Sequence, residues 1–291
     1  MSKRPQLRAA VIGAGMLGID LADRLTRSPT MTCALVAGRS TSTTGLRLAA
    51  RIGCATSTDG IDAVTGADID VVFDASNAAA HPAHWAALAS AGVLLVDLTP
   101  SSSGAMVAPT VNGFRAESSR HLSLVSCGGQ AVLPVLDMVA QHCVPQYIEV
   151  VTTVASASAG RATRLNLDEY IATTEYAVRQ LTHVPRAKVM ATISPALPAP
   201  VFRAEVTVLA SDIQPEPLRA GTQAVADAVR VFAPGYEVAS FTVDDQRITA
   251  TVNVTARGGR LPAYAGNVEI INAAAVLLAE RYAATREVEA L

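Results

Sequence analysis

Hydrophobic and polar positions alternate with two different textures along this chain. In the first 130 residues, short continuous apolar runs alternate with segments of helical spacing. Arg8 to Ile12 reads as a strand, followed at once by the turn Gly13-Ala14-Gly15-Met16-Leu17-Gly18. From Leu17, apolar residues recur at Leu21 and Leu25, which leaves Asp20, Asp23, Arg24 and Arg27 for the outer face of a helix. Cys33 to Ala37, Val71 to Phe73, Val93 to Leu98 and Leu122 to Ser126 read as further strands, with helices over Gly45 to Ile52 and His84 to Ala91 between them. Unbroken apolar strands of this kind suit a parallel sheet covered by helices on both faces.

Beyond that point the pattern changes. Glu149 to Ser156 and Val201 to Leu209 are strands of mixed polarity, and Tyr236 to Ala239 pairs naturally with Ile248 to Ala256. Asn166 to Leu181 and Leu218 to Phe232 have helical spacing, the second stopped by Pro234-Gly235. Val268 to Tyr282 is a strongly apolar helix, expected to return to the first domain. The expected fold class is α/β: a Rossmann-type doubly wound parallel sheet plus an α+β catalytic or dimerisation domain. The boundaries are 1–130 for the dinucleotide-binding domain, 131–265 for the α+β domain and 266–291 for the returning helix.

Composition narrows the partners. The formal charge is −2 over 291 residues with no basic block, so neither nucleic acid nor an anionic membrane is an expected partner. Ala9 to Ile12 is too short for a signal-peptide core and no stretch is long enough to span a bilayer, so a cytoplasmic protein is expected. The four cysteines and the five histidines (His81, His84, His121, His142, His183) show no metal-ligand spacing, and no metal is expected. His121, at the start of a strand, is expected at the surface.

The glycine turn carries the first chemistry. Gly13 permits a tight turn, Gly15 lets a pyrophosphate approach the backbone, and Gly18 lets the helix pack on the strand. The helix N-terminus then offers free N–H groups to the phosphates. At the end of the second strand, where an acid would bind the ribose 2′-hydroxyl of NAD(H), the chain reads Arg39-Ser40-Thr41-Ser42. Arg39 and Ser40 would grip a 2′-phosphate instead, which favours NADP(H) over NAD(H). After the third strand comes Asp74-Ala75-Ser76-Asn77, where Ser76 is expected beside the cofactor and Asn77 either touches a ribose or caps a helix.

The second piece of chemistry is Val125-Ser126-Cys127-Gly128-Gly129-Gln130, a thiol on a turn loosened by two glycines, ahead of a helix expected from Ala131. The N–H groups at that helix end would favour a negative sulfur and the oxyanion of a thiohemiacetal. A nicotinamide cofactor with a nucleophilic cysteine points to oxidoreduction between an aldehyde and a thioester. Cys33, Cys54 and Cys143 read as buried structural thiols.

Six local segments then carry a resemblance. Phe73-Asp74-Ala75, Val96 to Pro100, Ser126 to Ala131, Ser158-Ala159-Gly160, Thr163 to Glu169 and Leu261 to Asn267 are similar, in order, to the acylating acetaldehyde/propanal dehydrogenases. Those enzymes are often partnered with a 4-hydroxy-2-oxoacid aldolase. The likeness runs from about Ala9 to Glu280 and is weakest between Pro185 and Gly258. It implies a semialdehyde-dehydrogenase-like fold, Cys127 as the acyl-thioester nucleophile, and coenzyme A as a substrate. It further implies that Ala14, Gly15, Met16 and Leu17 contact the pyrophosphate and that Asn267 approaches the nicotinamide. Ser158, Ala159, Gly160, Arg161 and Asn166 belong to the family's second cofactor segment.

The chain departs from that family in three places. Arg39 stands where the family carries an acid. Ala204, in Arg203-Ala204-Glu205, stands where the family has an Asp that assists the cysteine, and Glu205 would point to the opposite face. Arg161 adds a positive charge beside the cofactor segment. Without that Asp, NADPH-dependent reduction of an acyl thioester to a short-chain aldehyde is the expected direction, with acyl-CoA or a carrier-protein thioester as donor. A homodimer or larger assembly is expected, with an aldolase or acyl-carrier protein as candidate partner. The alternatives are an NADP-binding, non-catalytic subunit of an aldolase complex and a semialdehyde dehydrogenase that does not use coenzyme A.

Overall fold

A computed structural model describes residues 6–39 and 43–289, so Ser40, Thr41 and Ser42 lie outside the described residues. The elements run β1 (Leu7–Ile12), α1 (Met16–Thr26), β2 (Met31–Ala37), α2 (Thr43–Arg51), β3 (Ala55–Ser57), α3 (Ile61–Thr65), β4 (Val71–Asp74), α4 (His81–Leu88), β5 (Leu94–Asp97), β6 (Ala105–Val107), α5 (Pro109–Asn112) and β7 (His121–Leu124). They continue with α6 (Cys127–Ala140), β8 (Val144–Ala155), α7 (Arg161–Leu165), α8 (Leu167–Thr182), β9 (Ala187–Ser194), β10 (Phe202–Ser211), α9 (Pro215–Arg230), β11 (Tyr236–Asp244), β12 (Arg247–Val254) and α10 (Gly266–Glu289). The chain divides into two compact units. One comprises Met1–Pro109, Gly113–Leu124 and Ala275–Leu291, the other Thr110–Asn112 and Val125–Ala274.

The first unit is built on a seven-stranded sheet in the order β3-β2-β1-β4-β5-β7-β6. Its strands pair in parallel. Ala9, Ala10, Val11, Val71, Val72, Phe73, Leu94, Leu95 and Val96 are fully buried, which is why these strands are continuously apolar rather than alternating. Each fully buried Leu contributes about 1.5–3 kcal/mol of transfer free energy. The chain winds outward from β1 to β2 and β3, then restarts at β4 on the other side. The strand order therefore reverses between β1 and β4, and a crevice at their carboxyl ends is the ligand position such sheets favour. At three residues each, β3 and β6 are too short to stand out in the sequence.

The second unit holds a five-stranded sheet, β11-β12-β10-β8-β9, antiparallel except for the parallel β8–β9 pair. Helices α6, α8 and α9 pack on it. Along β10 the buried set Phe202, Ala204, Val206 and Val208 alternates with Arg203, Glu205 and Thr207. Glu205 is paired with Arg203 at 2.6 Å on the half-exposed side. The expected opposition of residues 204 and 205 is thus seen, and Ala204 supplies only a buried methyl.

Candidate active site

Gly13 ends β1 with φ +108° and donates its N–H to Ala37 O at 2.8 Å. A side chain there would press on the Ala75 carbonyl, 2.5 Å from an added Cβ, so the glycine lets the β1 and β4 turns touch. A methyl on Gly18 would overlap the Gly13 carbonyl. Gly15 precedes α1 with no side-chain cap, and an added Cβ would meet nothing within 4 Å. The space beside Gly15 at the start of α1 is therefore open, and a dinucleotide pyrophosphate would fit there against Ala14 and Met16. One contributor escaped the sequence reading. A methyl on Gly45 would overlap the Ala14 carbonyl, so Gly45 lets α2 approach the turn itself. Arg39 is exposed two residues beyond β2, free to meet a phosphate.

The opposite wall of the crevice is held by a buried polar network. Asp74 Oδ1 accepts from Ser76 N at 3.0 Å and Ser76 Oγ at 2.5 Å. Asp74 Oδ2 accepts from Nδ1 of His81 at 2.8 Å and Nδ1 of His84 at 2.7 Å. His81 Nδ1 also lies 3.3 Å from Asp97 Oδ1, and its Nε2 lies 2.9 Å from His121 Nε2. Asp97 is further bonded by Thr99 N at 2.8 Å, by Ser123 Oγ at 3.2 Å and by Ser101 Oγ. Burial pushes the Asp74 carboxyl up, but His81, His84 and Ser76 together hold it well below the usual carboxylate range. Burial likewise opposes charge on His81, yet Asp74 and Asp97 raise it above the ordinary imidazole value. Burial and the neighbouring His81 depress His121 to about 4.

His121 was expected at the surface and is instead 7% exposed, with Trp85 stacked on its ring at 4.2 Å. Period-2 reasoning cannot see this, because the strand is short and buried on both faces. Histidines without metal spacing along the chain nevertheless converge in space: His81, Asp97 and His121 present ligand-type atoms within 4.8 Å of one another. Both aspartates are already occupied by several donors, so the cluster is a hydrogen-bond network. Asn77 resolves to the structural role, its Oδ1 accepting from Ala80 N at 3.0 Å ahead of α4.

In the second unit, α6 starts at Cys127 rather than at Ala131. Ser126 caps it, its Oγ accepting from Gly129 N at 3.0 Å. The two glycines are packing requirements rather than a loosened turn. A methyl on Gly128 would overlap the Tyr170 hydroxyl and sit 2.7 Å from Thr152 Cγ2, and one on Gly129 would overlap Val125 Cγ1. Cys127 is half-buried, whereas Cys33, Cys54 and Cys143 are buried. Although one side of Cys127 is open, its surroundings are dense, and burial pushes the thiol up to about 11. The Tyr170 hydroxyl and the N–H groups of Gly128 and Cys127 pull the other way. Tyr170 went unnoticed because its place on an amphipathic helix reads as core.

The segment from Ser156 to Asn166 is firmly braced. Arg164 donates to Ala159 O at 3.1 Å, Ser156 O at 3.2 Å and Ser156 Oγ at 2.9 Å, which makes it structural. Ser158 Oγ is spent on Ala155 O at 3.0 Å, and Asn166 Nδ2 on Ala162 O at 2.8 Å. Gly160 borders open space and Arg161 is exposed. Asn267 is buried and its Oδ1 has no hydrogen-bond partner, an acceptor left for a ligand.

Known proteins agree with both halves of this picture. A family described as "Semialdehyde dehydrogenase, NAD binding domain" matches residues 8–117, and "Prokaryotic acetaldehyde dehydrogenase, dimerisation" matches residues 127–262. An acetaldehyde dehydrogenase of Streptomyces griseus subsp. griseus is 51% identical over 276 residues, covering 94% of this chain and 90% of that protein. Acetaldehyde dehydrogenase 2 of Salinispora arenicola is 40% identical (94% and 95% covered), and the Pectobacterium atrosepticum acetaldehyde dehydrogenase is 37% identical (97% of each). Among solved structures, aspartate semialdehyde dehydrogenase II of Vibrio cholerae matches with a TM-score of 0.64 at 17% identity, covering 95% of this chain and 98% of that one. That last likeness concerns the fold alone.

Proposed function

The chain belongs to the acetaldehyde dehydrogenase family, and from that premise we propose that it reduces a short-chain acyl thioester to the aldehyde with NADPH, through an acyl-enzyme on Cys127. Oxidoreduction between aldehyde and acyl thioester is the family's activity, and a nicotinamide cofactor goes with the matched NAD-binding domain. The observation that carries the proposal is Cys127 at the first position of α6. It is the half-exposed thiol among four, with backbone N–H groups and a hydroxyl on its sulfur.

Cys127 rests as a thiol at neutral pH, since its ionisation is pushed up to about 11. In acylation its sulfur forms a bond to the thioester carbonyl and the bond to the departing thiol breaks. The proton that Cys127 loses is the one the departing thiolate needs. The first N–H groups of α6 would stabilise an oxyanion on that carbonyl. A reduced nicotinamide, when bound, supplies the hydride for the second half-reaction. Gly13, Ala14, Gly15, Met16, Leu17 and Gly18 would hold its pyrophosphate, Ser76 the facing wall and Arg39 a 2′-phosphate. Ser158, Ala159, Gly160, Arg161, Asn166 and Asn267 would form the second contact surface, with the free Oδ1 of Asn267 as acceptor. Collapse of the reduced adduct returns the electron pair of the C–S bond to Cys127 and releases the aldehyde.

The matched dimerisation family supports self-association, and a homodimer is the assembly we assign. No helix among the described residues is long and apolar enough to cross a membrane, and a cytoplasmic location fits the reduced thiols. An aldolase that consumes the aldehyde, or a carrier protein that delivers the acyl group, would be a compatible partner.

The test is cofactor consumption with NADPH or NADH and acetyl-, propionyl- or butyryl-CoA, alongside Cys127→Ser. Turnover with NADPH that falls at least about a thousandfold in the variant is expected. A preference for NADH would remove the role given to Arg39. Turnover with free aldehyde and no thiol would instead favour a semialdehyde dehydrogenase. NADPH binding with no turnover on any of these would favour the non-catalytic subunit.

A further inference from the structure

We propose that the Tyr170 hydroxyl is a catalytic hydrogen-bond donor to the sulfur of Cys127, stabilising the thiolate each time it is the leaving group. The inference rests on Cys127 as nucleophile and adds a residue to that same site.

Three independent contacts place the hydroxyl there. Tyr170 lies on the first turn and a half of α8 and is buried. Its oxygen occupies the space over Gly128 that a Cβ would fill, directly beside Cys127. It lies close enough to the Cys127 sulfur to favour the ionised form, and it donates to Thr152 Oγ1 at 3.1 Å. Thr152 is cross-strand partner to Ala204, so the sheet beneath the cysteine presents a hydroxyl and a methyl at this register. The neighbouring hydroxyls close the cluster. Ser126 Oγ lies 2.6 Å from Thr174 Oγ1, which donates to Tyr170 O at 2.6 Å. The helix end that bears the thiol and the turn that bears the tyrosine are thereby tied together.

Tyr170 has one proton and faces Thr152, Ser126 and the Cys127 sulfur. While Cys127 is a thiol, the better acceptor is Thr152 Oγ1. When the sulfur carries charge, a charge-assisted bond to it is stronger, and the hydroxyl turns toward it. Burial and the neighbouring sulfur raise Tyr170 well above the ordinary phenol value, so it keeps its proton throughout and acts as donor, not base. In the reductive direction this matters most at the collapse of the thiohemiacetal oxyanion. The C–S bond breaks, its electron pair goes to Cys127, and the carbonyl re-forms. A donor aimed at that sulfur stabilises the transition state more than the adduct before it, in which the sulfur carries no charge. Loss of a hydrogen bond to a charged group is worth about tenfold or more.

Tyr170→Phe removes the oxygen and keeps the ring. The readout is the second-order rate at which iodoacetamide alkylates Cys127, followed by mass spectrometry between pH 7 and 9, with turnover measured beside it. Tyr170→Phe is expected to slow alkylation about tenfold at each pH and to lower kcat by a similar factor. Thr152→Val, which removes the competing acceptor and leaves the Tyr170 hydroxyl in place, is expected not to slow alkylation. Equal slowing in both variants would mean that packing alone is responsible and would overturn the proposal, as would no slowing in either. Cys127→Ser separates the two readings. An inactive Cys127→Ser beside a wild-type-like Tyr170→Phe keeps the nucleophile and discards the donor, whereas an active Cys127→Ser discards the nucleophile itself.

Discussion

Each unit buries one polar cluster, and the two are built on opposite principles. In the first unit, Asp74, His81, Asp97, His84 and His121 form an ionic network in which every carboxylate oxygen has a donor. In the second, Cys127, Tyr170, Thr152, Ser126 and Thr174 form a cluster of neutral groups that includes no carboxylate. Charges saturated with partners have no capacity left for a ligand, and they fix the backbone that carries them, here the Ser76 turn. A neutral hydroxyl cluster around a thiol leaves the sulfur costly to ionise while offering it donors when it does, which suits a group that must make and break bonds. On the proposed reading the ionic network holds shape, and the uncharged cluster surrounds the nucleophile.

The largest expected effect comes from exchanging these roles. Asp74→Ala leaves His81, His84 and Ser76 without their shared acceptor in a buried place. It is expected to cost about 3–5 kcal/mol of stability, read from urea unfolding. Cys127→Ser, in contrast, is expected to change stability by less than about 1 kcal/mol while removing turnover. If Asp74→Ala unfolded at wild-type urea concentrations and lost activity selectively, the ionic network would be part of the chemistry and the contrast between the units would fail.

The sequence made one of these clusters far more legible than the other. The glycine turn, the apolar strands and Cys127 announce themselves through local patterns that physical chemistry ties to local geometry. The parallel sheet and an α+β second layer followed from strand texture, whereas β9 and its parallel pairing with β8 did not stand out. What was hidden depended on side chains distant in sequence. His81 and His121 are 40 positions apart and meet at 2.9 Å, and Tyr170 reaches Cys127 from another helix. Gly45 was hidden for another reason. Inside a helix a glycine reads as a mere weakness, and only the Ala14 carbonyl lying against it reveals why nothing larger fits.

That glycine gives the next prediction, of intermediate size. Gly45→Ala sets a methyl against the Ala14 carbonyl and must displace either α2 or the pyrophosphate turn. NADPH affinity, measured by fluorescence titration, is expected to weaken about tenfold while alkylation of Cys127 is unchanged. Alkylation that slowed in parallel would show that the cofactor turn and the thiol are not separable in the way the two clusters suggest.

The smallest effect is on pH dependence, and it tests whether the ionic network shares one proton between two histidines. His81 is faced by Asp74, Asp97, His84 and His121, and its folded value lies above the ordinary 6.5. Its contribution to stability is therefore complete below about pH 6.5 and is lost as pH rises through the folded value. His121 lies below 6.5, at about 4, so the unfolded chain takes up its proton first as the solution is acidified. Stability attributable to His121 thus falls between about pH 6.5 and about pH 4. Asp97, whose folded value is raised, slopes the opposite way at the acid end, while the depressed Asp74 contributes only below about pH 4. The difference between wild type and His121→Gln isolates the histidine. Unfolding free energies from pH 5 to 9 should show the acid-side decline shrinking in the variant while the alkaline-side decline remains. Should both limbs vanish together, the proton belongs to the pair as a whole; should neither change, His121 carries no part of the network's pH response and Trp85 stacking is its whole role.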